Sequence, residues 1–171
     1  MNTRSAHWTR LFAALCAVLL LTSCANADAD DPSVADGRTA RWGKGMGASE
    51  ASAFMKVKVP EGAEEVKGAV QVNPQEDIYL LSFVTDEKSA VGIAEGLRPE
   101  KPLRTRNHDL PPATELFGHL GLPEPQTQKG ARWAGVCPPC VGDKRRGGVG
   151  WIEIHVLELD ADSTRVYMQA F

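Results

Sequence analysis

Two segments near the end, Trp151-Ile-Glu-Ile-His-Val-Leu-Glu-Leu159 and Thr164-Arg-Val-Tyr-Met-Gln-Ala-Phe171, alternate apolar and polar side chains across the turn-like Asp160-Ala-Asp-Ser163. Period-two alternation on both sides of a short polar turn predicts a β-hairpin. Ile152, Ile154 and Val156 then share one face with Val166, Met168 and Ala170 or their register neighbours. Trp151, His155, Tyr167 and Phe171 fall on the other face, because side chains two apart along a strand point the same way.

Working back from this hairpin, Ala131 to Val136 reads as a strand that runs into Cys137. Ile78 to Val84 is almost wholly apolar and rich in strand formers, which predicts a central strand covered on both sides. Val66 to Val72 alternates, with Val66, Val70 and Val72 on one face. Met55-Lys56-Val57-Lys58-Val59 alternates too and is expected as a half-buried or edge strand ended by Pro60-Glu61-Gly62.

Helical material lies between the two strand groups. Thr85 is expected to cap a helix with Asp86 and Glu87 in its first turn, and Ala90, Val91, Ile93, Ala94 and Leu97 recur at helical spacing. Gly92 and Gly96 each cost roughly 1 kcal/mol against alanine, so packing on the sheet must hold this helix. Residues 98–111 read as a polar surface crossing. Pro112 to Leu120 is a second, shorter helix candidate, with Gly121 as its cap. Strands, then helices, then strands predict an α+β domain over residues 48–171: a mostly antiparallel sheet of about five strands, with one or two helices on one face.

The beginning of the chain has a different character. Arg4, His7 and Arg10 precede the apolar run Leu11 to Leu21, which is too short for the roughly 20 residues that a membrane-spanning helix needs. Leu21-Thr22-Ser23-Cys24 comes next and resembles the lipobox of bacterial lipoproteins. That resemblance implies removal of residues 1–23 as a signal peptide and lipidation of Cys24, where two acyl chains give stable membrane anchoring. An ordinary secretory signal cut after Ala27 is the alternative. Residues 24–47, small, polar and rich in Asp and Gly, are expected as a flexible tether. Gly43-Lys44-Gly45-Met46-Gly47 lacks the spacing of a phosphate-binding loop.

Without the first 23 residues the chain keeps 148, with 17 basic residues against 22 acidic ones, a net charge of −5. This mildly acidic balance gives no support to nucleic-acid binding. Of four cysteines, Cys16 leaves with the signal and Cys24 is taken by lipid, so Cys137 and Cys140 remain as a closed pair, expected as a disulfide.

Cys137-Pro138-Pro139-Cys140 is the one stretch with a recognisable reactive spacing. Thiol-disulfide oxidoreductases use such a pair when its first cysteine opens a helix that lowers the thiol pKa, and Arg132-Trp133 faintly resembles thioredoxin-like proteins. Against this, Gly142, Gly147, Gly148 and Gly150 make a poor helix, and no proline comes after Val141 to face the cysteines. A structural clip between two strands is the favoured expectation. Lys144-Arg145-Arg146 reads as a solvated turn ahead of an anion-binding loop. Glu153 and His155 share a strand face and could act as an acid–base pair only within a pocket, and an exposed polar face is expected instead. His108, His119 and His155 lack paired metal-ligand spacing, Asp160 and Asp162 belong to turn chemistry, and no cofactor or metal site is expected.

The lipobox, the Ala, Gly and Val content, Arg132-Trp-Ala-Gly-Val-Cys-Pro-Pro-Cys140 and Trp151-Ile-Glu-Ile-His155 resemble actinobacterial cell-surface lipoproteins of uncharacterised function. The resemblance implies a location on the outer face of the cytoplasmic membrane, with the membrane as partner through Cys24. The function expected is a non-enzymatic module that binds an envelope partner or ligand. A membrane-tethered thiol-disulfide oxidoreductase using Cys137 and Cys140 is the alternative.

Overall fold

A computed structural model describes residues 39–105 and 114–171. The signal and lipobox readings, Cys24, His108 and the start of the second helix candidate at Pro112 lie outside the described residues. Seven strands form one sheet: β1 (Arg41–Gly47), β2 (Glu64–Val72), β3 (Ile78–Thr85), β4 (Arg104–Thr105), β5 (Arg132–Val136), β6 (Ile152–Glu158) and β7 (Thr164–Ala170). Their order is β1-β2-β3-β7-β6-β5-β4, and every neighbouring pair is antiparallel. Among the described residues, two α-helices, α1 (Ala48–Met55) and α2 (Glu87–Gly96), complete the α+β architecture.

The hairpin β6–β7 forms with Ile152 opposite Ala170, Ile154 opposite Met168 and Val156 opposite Val166. These six, with Leu81 and Phe83 of β3, meet Ala51 and Met55 of α1, Ala90 and Ala94 of α2, and Leu97 at its C-cap, in the main core. Both helices therefore cover one face of the sheet. The β6–β7 turn is held by the Leu159 N–H donating to the Ser163 carbonyl at 2.9 Å and the Asp162 N–H donating to the Asp160 carboxylate at 3.0 Å. Asp160 thus serves the turn.

Local chemistry explains several departures from the expected elements. Residues 41–47, expected within the tether, form edge strand β1, with Arg41 opposite Val72 and Trp42 opposite Gln71. The pairing partner lies in β2, so the isolated stretch carries no strand pattern of its own. Residues 55–59 are not a strand. Met55 ends α1, and Lys56 takes the left-handed conformation at φ 53°. Val57 and Val59 still pack against the core, which accounts for their alternation without strand pairing. Glu50 begins α1 by accepting from the Gly47 N–H at 2.7 Å. That bond, more than the smaller contributions around it, holds the Glu50 carboxyl below its ordinary range.

The cap of α2 is Asp86, which accepts from the Ser89 N–H at 2.8 Å, whereas Thr85 is the last residue of β3. In its described part, the second helix candidate is a single 3-10 turn, Phe117–Leu120, closed by Gly121 at φ 67°. It lies on the sheet face opposite the α-helices, where Leu116, Phe117 and Leu122 bury Leu80 and Tyr167. The sheet is covered on both faces.

Helix α1 sits directly on β2 at Gly68. A Cβ there would fall 2.4 Å from the Ala48 Cα, a backbone atom with nowhere to retreat. Gly68→Ala is accordingly expected to destabilise the domain by about 1–3 kcal/mol, the usual range for overpacking. Urea unfolding of the two proteins checks this, and an unchanged midpoint would contradict so close an approach.

Candidate site at the disulfide loop

The cysteine pair lies in the connection between β5 and β6. Cys137 and Cys140 form a disulfide with their Cα atoms 5.2 Å apart. Cys137 is half-buried and Cys140 exposed. The Val141 N–H donates to the Cys137 carbonyl, the Gly142 N–H to Pro139 and the Asp143 N–H to Pro138. With Gly142 at φ 64°, this is one helical turn ended by a Schellman-type pattern. Cys137 consequently opens a single closed turn, not a helix whose aligned peptide dipoles would depress a thiol pKa.

The residues just after this turn give the clip a structural purpose. Asp143 accepts from the Arg145 N–H and caps a short 3-10 turn at Lys144–Arg146. Arg146 is 5% exposed; its Nε donates to the Met55 carbonyl at 2.8 Å and an Nη to the Lys56 carbonyl at 3.4 Å. Its other Nη meets the buried Asp143 carboxylate. The guanidinium thus satisfies carbonyls at the C-terminal end of α1, which has no basic residue in its own last turn. Arg145 and Arg98 also approach Asp143, at 3.2 and 3.5 Å. Hydrogen bonding from Arg145 and then Arg146 outweighs burial and holds the Asp143 carboxyl far below the usual carboxylate range.

The expected solvated turn at Lys144-Arg145-Arg146 is corrected by this geometry. Lys144 is exposed, but Arg146 is a buried anchor and Arg145 is engaged with Asp143. Sequence reasoning recognised three neighbouring cations. It missed Asp143 immediately before them and the helix end on which the loop would land.

His155 is corrected as well. It is 3% exposed, and its Nε2 lies 2.7 Å from Glu153 Oε1. In the sheet it stands between Trp133 of β5 and Tyr167 of β7. The contact joins a buried imidazole to a carboxylate whose side chain is 24% exposed. Among the described residues, no group of three or more His, Cys, Asp or Glu side chains comes together as a metal-ligand set.

Two cavities share Glu100, Gly135 and Trp151, and the larger also touches the disulfide. One, of about 480 Å³, is lined by Glu100, Gly135, Cys137, Cys140, Val141 and Trp151. The other, of about 130 Å³, is lined by Glu100, Lys101, Arg104, Trp133, Ala134, Gly135 and Trp151. The segment 98–111, expected as a plain crossing, supplies Glu100, Lys101 and Arg104 to them. Arg104 stands over the Trp133 ring, 4.7 Å from its centroid. The signal available in the sequence was Trp133-Ala-Gly135: a strand with a glycine where its neighbour carries a large ring, opposite a hairpin that begins with Trp151.

Removing the clip in Cys137→Ser/Cys140→Ser is expected to cost roughly 2 kcal/mol, the chain-entropy value for so short a loop. Urea unfolding in non-reducing buffer checks it; a loss above 4 kcal/mol would mean that the bond does more than restrain the chain.

No protein-family model, curated protein or solved structure matches the chain.

Proposed function

We propose that this chain is a lipid-anchored extracytoplasmic module that binds an envelope ligand or partner without catalysing a reaction. The observation that carries the non-catalytic part is the use of the cysteine pair. Cys137 and Cys140 close one turn, and that turn positions the Asp143–Arg146 anchor against α1. The anchor is argued from Leu21-Thr22-Ser23-Cys24, and no helix among the described residues is long and apolar enough to cross a membrane. In this reading the lipid on Cys24 holds the domain at the outer face of the cytoplasmic membrane, and the cavities beside the disulfide offer the binding surface.

Cys24→Ser tests the anchor. The wild-type chain is expected in the membrane fraction, extractable by detergent, and the variant in the soluble fraction or unprocessed. A variant that stays membrane-bound and is still cleaved overturns the lipid anchor.

The second reading, a tethered thiol-disulfide oxidoreductase, draws on the exposed Cys140 beside a cavity and on the Cys140 N–H, which donates to Cys137 Sγ at 3.2 Å. It requires a depressed thiol pKa at Cys137 after reduction. Thiolate absorbance measured against pH decides between them: an ordinary pKa near 8.5 removes the oxidoreductase, and one below about 7 favours it.

A further inference from the structure

We propose that the tryptophan cleft beside the disulfide binds an uncharged saccharide ring. Trp151 serves as the stacking platform, and Glu100, Lys101 and Arg104 are the hydroxyl partners. This rests on the binding-module reading above and names its ligand class.

The platform is built into the backbone. A Cβ at Gly135 would lie 2.3 Å from Trp151 Cζ2, so the indole occupies the space that any other residue at 135 would fill. Main-chain bonds in both directions between Trp151 and Phe171, each 3.1 Å, fix where that ring starts. Trp151 remains partly exposed and lines both cavities.

Several other aromatic rings among the described residues are already occupied by partners. Trp42 stacks on His119 at 3.8 Å, Phe54 stacks on Tyr79 at 3.8 Å, and Phe117 meets Tyr167 edge-on inside the second core. The larger cavity, about 480 Å³, falls in the range of roughly 300–1,000 Å³ typical of small-molecule sites.

The rim narrows the chemistry. Glu100, Lys101 and Arg104 are all exposed. Glu100 lines both cavities and opposes an anionic ligand, while Lys101 and Arg104 oppose a cationic one. A neutral pyranose suits all of them. Its C–H face carries small positive charge and packs on the negative face of an indole. Its hydroxyls donate to the Glu100 carboxylate and accept from the lysine and arginine.

The test uses the full chain in detergent micelles, titrated with maltotetraose, cellotetraose, chitotetraose and tetragalacturonate while indole fluorescence is followed. Saturable binding of at least one of the three uncharged oligosaccharides is expected. Trp151→Ala is expected to weaken it at least tenfold, and Trp151→Phe by less. Glu100→Gln and Lys101→Ala, both on the surface and remote from the core, are expected to weaken it severalfold with the unfolding midpoint unchanged. Binding of none of the three, preference for tetragalacturonate, or affinity untouched by all four substitutions overturns the proposal. So does displacement of the sugar by an unstructured decapeptide, which would point to strand addition at the sheet edge. None of these results alters the Cys24→Ser fractionation, so the saccharide inference and the anchor reading fail separately.

Discussion

Arg146→Ala is expected to destabilise the domain by about 3–5 kcal/mol, the range for removing one partner of a buried ion pair. The loss has two parts. Asp143 keeps a buried carboxylate with one close guanidinium fewer, and the Met55 and Lys56 carbonyls at the end of α1 lose their donor. Urea unfolding at neutral pH measures the change, and a loss under 1 kcal/mol would mean that the loop is held elsewhere.

The same anchor makes a pH prediction whose sign comes from Asp143. Its carboxyl is held well below the ordinary Asp value of 3.8, chiefly by Arg145 and then Arg146. A carboxyl with a depressed folded-state pKa contributes stability that is complete above the unfolded value and is lost as pH falls from there through the folded value. The wild-type chain should therefore lose stability below about pH 4, and Asp143→Asn should show a shallower acid slope over that interval. Parallel slopes would remove Asp143 from the acid response.

Phe117→Ala should have an effect of similar size, about 3–5 kcal/mol, the range for truncating a buried phenylalanine. Phe117 is 2% exposed, with its ring edge-on to Tyr167 at a centroid distance of 5.2 Å. It pins the 3-10 segment to the sheet face that carries Tyr167 and His155. Its removal should lower the unfolding midpoint and also speed amide exchange in β6 and β7 ahead of the helices. Exchange that rises uniformly would instead indicate that the cover and the main core unfold as one unit.

The α+β class and the terminal hairpin were legible because alternation is local. Ile152, Ile154 and Val156 announce a buried face whatever partner arrives, and the pairing with Ala170, Met168 and Val166 is set by one turn. The additional strands were less legible for the opposite reason. β1 carries glycines and few apolar residues and β4 has two residues, so each is a strand by virtue of its neighbour. The alternation of residues 55–59 misled because Val57 and Val59 face the core from an unpaired segment.

The candidate site divides along the same line. The closeness of Cys137 and Cys140 in the chain made a bridge between them readable, and the glycines after Cys140 argued against a long helix there. Arg146 and Met55 are 91 residues apart, and nothing near either one names the other. His155 looked exposed because the strand pattern records alternation without recording what lies above the second face. Two tryptophans and three charged residues from separate segments likewise become a cleft only when β4, β5 and β6 are side by side.

Periodicity, turn residues and cysteine spacing thus carried the class of the domain, its hairpin and the expectation of a clip, since each depends on residues that are neighbours in the chain. Assembly of the sheet decided the rest: that a cationic turn is an internal anchor, that a histidine is sealed from solvent, and that Trp151 stands at a cleft. Those outcomes depend on which distant surfaces meet, and burial and ion pairing take their meaning only from that meeting.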